Sequence, residues 1–187
     1  MQAKSLTLSG TTLSNIKIFS FAKDLVLVLV FAVLTGLSAQ LKIEIGAVPI
    51  TMQTFVVILS GVLLGGKKGA ASQATYLFMG LLGFPWFARG GGLAYLFSPT
   101  FGYILGFVSA SFIVGLLIEK GWGKNIKTMI LTLLIGEAAI YLPGLLWLYP
   151  FVGVEKLLIV GLYPFVLGEF LKLLLIIPFL SFGRKKT

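Results

Sequence analysis

The sequence contains no cysteine and no histidine, and its only aspartate is Asp24. Without cysteine there is neither a disulfide framework nor a thiolate site. Without histidine the usual general base at neutral pH and the commonest metal ligand are missing, and so is every Ser-His or Cys-His pair. Charge is scarce as well: Asp, Glu, Lys and Arg make up 11% of the 187 residues, against roughly 25% in soluble domains. These gaps speak against an enzyme, a metal centre or a bound cofactor, although Glu137 or Ser72 remains available in principle to an intramembrane enzyme.

Apolar residues are abundant, at 58% of the chain, which leaves too little polar surface to cover a water-soluble sphere. Six stretches approach the ~20 residues that cross roughly 30 Å of hydrocarbon: 25–41, 48–66, 70–87, 97–118, 129–148 and 157–182. The chain therefore reads as an all-α integral membrane protein. A six-transmembrane-helix bundle would occupy residues 24–183, after an N-terminal tail over 1–23 and before a basic C-terminus over 184–187. In that tail, residues 5–15 read as flexible and 16–22 as a short interfacial amphipathic segment.

The formal net charge of +9 follows this topology and does not require nucleic acid. Six spans place the N-terminus, the second and fourth loops and the C-terminus on one side. That side carries Lys4, Lys17, Lys23, Lys67, Lys68, Lys120, Lys124, Lys127, Arg184, Lys185 and Lys186, eleven cations. The other side carries three, Lys42, Arg89 and Lys156. Positive charge marks the cytoplasmic side, so both termini are predicted to be cytoplasmic in a cell-membrane protein. An alternative is a cleaved leader ending near Gly36–Ala39, but removing that span would leave five and destroy the asymmetry.

The run from Gly61 to Lys68 has the spacing of a phosphate loop, yet its last position is lysine where magnesium binding needs Ser or Thr. It ends a membrane span, so any ATP must be used by another subunit. Small residues recur four apart at Ala32/Gly36, Gly61/Gly65 and Gly102/Gly106. Such pairs let helices approach closely, within the bundle or, for Ala32 and Gly36 on the first span, against a second membrane protein.

Three places carry polar or aromatic chemistry. The third loop joins Trp86, Phe87 and Arg89 to Gly90-Gly91-Gly92 and Tyr95, a composition suited to a ligand-covering lid and also to an interfacial aromatic belt. At the start of the second span, Thr51 and Gln53 offer donors and acceptors to an amide-like group or to a neighbouring helix; Gln73 and Tyr76 share that ambiguity. In the sixth span Glu169 and Lys172 are three apart on one helical face. Each costs roughly 2.5–3.5 kcal/mol at midspan, so both should face the interior, as a packing bridge or as a ligand site. Glu137 is a further midspan acid, either paired with Lys172 or protonated.

Val48-Pro49-Ile50-Thr51-Met52-Gln53-Thr54, Gly61-Val62-Leu63-Leu64-Gly65, Ser98-Pro99-Thr100-Phe101-Gly102-Tyr103-Ile104-Leu105-Gly106-Phe107 and Gly168-Glu169-Phe170-Leu171-Lys172 together resemble segments of the BioY family. These are the biotin-binding S-components of energy-coupling factor (ECF) transporters. The resemblance implies a six-helix fold with an outward-opening pocket beneath the first and third loops, a transmembrane coupling subunit and two ATPase subunits. Biotin would meet Glu169, Lys172, Gln53, Thr51, Arg89, Gly90, Trp86, Phe87, Tyr95 and Tyr103, while Ala32 and Gly36 would dock the coupling subunit. Two positions depart from the family pattern, which has aspartate at Glu169 and often asparagine at Gly90. The rivals are an S-component for another small vitamin and, in a different class, a channel or scaffold.

Overall fold

The computed structural model describes the backbone of residues 3–183 and the side chains of residues 18–176. The terminal residues 1–2 and the basic stretch 184–187 lie outside the described residues. In chain order come α1 (Ala3–Gln40), a two-stranded antiparallel ribbon of β1 (Lys42–Ile43) and β2 (Ile50–Thr51), then α2 (Gln53–Leu64), α3 (Gly66–Leu81), α4 (Phe101–Glu119), α5 (Ile126–Gly161) and α6 (Tyr163–Gly183). Among the described residues three helical stretches are long and apolar enough to cross a membrane: Ile18–Gln40, Phe101–Glu119 and Ile126–Gly161. The chain is an all-helical, multi-pass membrane protein.

Several expected boundaries move. Residues 5–15, read from sequence as a flexible tail, belong to helix α1. The fifth span does not end near 148. α5 runs on to Gly161, with one left-handed kink at Gly153 (φ 73°), and α6 begins at Tyr163 rather than 157. Pro164 suits that start, because the first turn of a helix has no use for its missing N–H. Between the second and third spans a single residue, Gly65 (φ 83°), breaks the chain, so Lys67 and Lys68 fall in the first turn of α3.

Helix α4 is central, packing on α2, α3 and α5, and glycine sets the spacing. A Cβ on Gly61 would lie 2.6 Å from Ser111 O, and one on Gly106 would lie 2.8 Å from the Ile140 backbone. The Gly61/Gly65 and Gly102/Gly106 pairs therefore serve packing inside the bundle. So do Ala32, which is 1% exposed, and Gly36, whose missing Cβ leaves room 3.0 Å from Trp86. Both small residues face inward on α1, and the side it leaves uncovered carries Val26, Leu29, Val30, Val33 and Leu34. The close approach that Gly36 permits is to this chain's own Trp86.

A buried polar chain fastens the first four helices. Thr35 donates to Gln73 Oε1 (3.2 Å), Gln73 Nε2 donates to Ser60 (3.1 Å), and Ser60 meets Ser111 at 2.8 Å. Gln73 thus proves to be an interhelical bridge, one of the two readings its residue type allowed.

Candidate functional site

Glu169 and Lys172 project from α6 into the bundle and are 7% and 6% exposed, as the cost of an ion in lipid requires. Their charges meet at 2.9 Å. Lys172 also donates to Thr51 O at 2.5 Å and Thr54 Oγ1 at 3.0 Å, so all three of its ammonium protons are engaged. Glu169 Oε2 accepts from Thr54 at 2.7 Å and Oε1 accepts from Tyr141 at 3.2 Å. The irregular segment at β2, where Thr51 ends the ribbon, supplies the free carbonyl, while α2, α5 and α6 supply the side chains.

Glu169 borders a cavity enclosed by the first and third loops and by α2, α4, α5 and α6. Thr51, Gln53 and Thr54 line it from the start of α2, with Tyr95 and Thr100 from the third loop and Tyr103 and Phe107 from α4. Tyr141 and Phe165 line it from α5 and α6, and Val48, Pro49 and Ala88 from the first and third loops. The surface is mostly aromatic and aliphatic with polar groups gathered near Glu169. Such a site accepts a flat donor-bearing group at the acid and an apolar body along the rings.

Half of the ten expected contacts line this cavity: Thr51, Gln53, Tyr95, Tyr103 and Glu169. Lys172 stands behind Glu169 and not on the lining. Gln53 lines the cavity, and its Nε2 donates to Tyr76 Oη at 2.6 Å, the bond to a neighbouring helix that its residue type allowed. Trp86, Phe87, Arg89 and Gly90 are not on the lining. Trp86 donates from Nε1 to Tyr76 O (3.0 Å), and Phe87 is fully buried, its ring filling the space that Gly80 leaves.

The glycine run serves the loop's own fold. Gly90 (φ 115°) and Gly92 (φ 92°) adopt left-handed backbone, which only glycine accepts easily. Their N–H groups donate to Phe87 O (3.1 Å) and Gly80 O (2.7 Å). Arg89 reaches across to the first loop and pairs with Glu44.

Sequence reasoning passed over Tyr141 and Thr54 as site residues, although both bond Glu169. A tyrosine in midspan, far from the interfacial belts where tyrosine is usual, was the available signal for Tyr141. Glu137 does not take the lysine: Oε2 is buried without a hydrogen-bond partner among the described residues. An unmet buried acceptor costs about 1–3 kcal/mol. Glu137→Leu is therefore expected to leave the midpoint of thermal unfolding in detergent unchanged or raised; a drop of more than about 3 °C, near 1 kcal/mol for a chain of this length, would reveal a partner.

The model of the BioY family matches residues 5–185. The chain belongs to the BioY family. It is 45% identical to the probable biotin transporter BioY of Pyrococcus horikoshii over 81% of this chain and 90% of that one. It is 31% identical to the biotin transporter BioY of Rhizobium etli, over 71% of this chain and 76% of the relative. Among solved structures, the S-component for biotin from an ECF-type ABC transporter superposes with a TM-score of 0.78 at 26% identity, covering 90% of this BioY chain and 94% of its own.

Proposed function

We propose that this BioY chain captures biotin as the S-component of an ECF-type importer. The observation that carries the proposal is the buried Glu169, held by Thr54, Tyr141 and Lys172 at the polar end of a mostly apolar cavity, in a fold shared with a biotin S-component. Biotin has a ureido ring with two N–H donors, an apolar thioether and alkyl chain, and a carboxylate. Glu169 accepts from the ring, with Gln53 and Thr51 completing the polar set. Tyr95, Tyr103, Phe107 and Phe165 cover the apolar body, and the carboxylate points to the mouth beneath the outer loops. Lys172 orients Glu169 and balances its charge from behind.

In this reading six membrane-embedded helices carry both termini on the cytoplasmic side of the cell membrane, as the eleven-to-three distribution of Lys and Arg supports. A separate transmembrane coupling subunit and two ATPase subunits supply the work, for the run from Gly61 to Lys68 is the end of α2 and the start of α3 and not a strand-to-helix phosphate loop. Docking of the coupling subunit is assigned to α1, the helix that carries the small-residue pair Ala32 and Gly36.

The test is a titration of tryptophan fluorescence in the purified chain with biotin, thiamine and riboflavin, joined to gel filtration with labelled biotin. Saturable one-to-one binding of biotin is expected, with neither other vitamin competing at tenfold excess. Retention of thiamine or riboflavin in place of biotin would move the chain to another vitamin. Tags at the two termini should both be shielded from the outside of intact cells, and exposure of either one would overturn the topology.

A further inference from the structure

Building on the biotin reading, we propose that Arg89 and Glu44 form a latch between the two outer loops that sets how fast ligand passes the cavity mouth, without gripping the ligand. Arg89 donates to Glu44 Oε2 from Nε (3.1 Å) and Nη2 (2.5 Å), to Gly46 O from Nη2 (2.7 Å) and to Ala47 O from Nη1 (3.0 Å). Lys42 holds the other oxygen of Glu44 at 3.1 Å and also donates to Ala88 O. Arg89 and Ala88 of the third loop are thereby tied to four residues of the first. Val48 and Pro49 follow that first-loop segment directly, and they and Ala88 wall the cavity. Parting the latched segments parts the wall.

The donor count separates a latch from a ligand clamp. A guanidinium has five N–H groups, and four are engaged within the loops. The one left, on Nη1, cannot make the two parallel bonds of a carboxylate fork unless Glu44 lets go. Single exposed ion pairs contribute little, but here one cation holds a side chain and two backbone carbonyls together, so the loops move as a unit or not at all. Because these partners of Arg89 all lie in the first loop, the latch acts on the barrier to passage and not on the difference between free and loaded states. Access and release then change together and affinity stays put.

The pH dependence follows from Glu44. Hydrogen bonding from Arg89 first, then from Lys42, holds its carboxyl below the ordinary value of 4.5. A lowered carboxyl keeps its contribution at all pH above the ordinary value and loses it as pH falls through the lowered one. The latch is thus insensitive to pH between about 5 and 8 and opens only in stronger acid.

Stopped-flow tryptophan fluorescence with biotin and with its neutral amide tests the proposal on R89Q, E44Q and the double variant. We expect association and dissociation both to quicken about tenfold in each single variant, the double variant to go no further, and affinity for either ligand to stay within threefold. Unchanged rates would overturn the latch. So would a tenfold loss of affinity for biotin alone in R89Q, which would make Arg89 a reader of the carboxylate. Amide hydrogen exchange over residues 42–49 and 86–92 in the ligand-free chain should rise in the same variants. That readout needs no ligand, so it stands or falls separately from the biotin assignment, which fails if the unmutated chain ignores biotin.

Discussion

Lys172→Ala is expected to weaken biotin binding at least tenfold, and Glu169→Gln to do the same, although only Glu169 touches the cavity. The lysine sits behind the acid with its three protons on Thr51 O, Thr54 Oγ1 and Glu169 Oε1. Removing it leaves a carboxylate 7% exposed with two hydroxyl donors and no countercharge. Losing one member of a buried charged pair typically costs ~2–5 kcal/mol, well over one decade in affinity. The two changes act on one unit, so the double variant should fall short of the sum of the singles. Titration calorimetry with biotin, on variants that retain the wild-type gel-filtration profile, measures this. If Lys172→Ala binds as tightly as wild type, the pair is a packing bridge and the reading of the cavity fails.

Gly115→Ala is expected to lower the unfolding temperature by about 10 °C or more, or to prevent folding, whereas Gly168→Ala should be harmless. Both glycines are helical and each change adds one methyl group. At Gly115 that methyl would overlap the backbone of Gly65 and Gly66, with Gly66 Cα 2.5 Å away. Backbone cannot rotate aside as a side chain can, so α3 must leave α4. The bond from Gly66 N to Glu119 Oε1 (2.9 Å), one turn along α4, goes with it. Overpacking of this kind costs typically 1–3 kcal/mol and occasionally more. At Gly168 nothing lies within 4 Å, and alanine is the better helix former by about 1 kcal/mol. Thermal unfolding followed by gel filtration in detergent compares the two. Equal midpoints would mean that the α3–α4 crossing is looser than its geometry shows.

The polar heart of the site was legible because its physics is local. An acid and a base three residues apart in an apolar helix have to face one another and away from lipid, whatever surrounds them, and Glu169 and Lys172 do. Thr51 and Gln53 were legible from their place at the start of a short span. The third loop was not. Its aromatic and glycine composition suits a lid, but composition does not say whether a glycine N–H is open or already bonded. Gly90 and Gly92 turn out to hold the carbonyls of Phe87 and of Gly80 at the end of α3, and Phe87 fills the space beside Gly80. Ala32 and Gly36 show the same limit, since a small residue announces a close approach without naming what approaches.

Composition, hydropathy and charge order by themselves determined that this is a helical membrane protein with an ion pair turned into its interior, because the transfer of apolar and charged groups between water and lipid depends on each segment alone. Only the tertiary structure decided which side of each helix met which neighbour. It set Lys172 behind Glu169, brought Tyr141 to the same acid across 28 residues, packed Gly36 on Trp86, and joined Arg89 of the third loop to Glu44 of the first. Those outcomes depend on distances between residues far apart in the chain, which the helix crossings fix and no local pattern encodes.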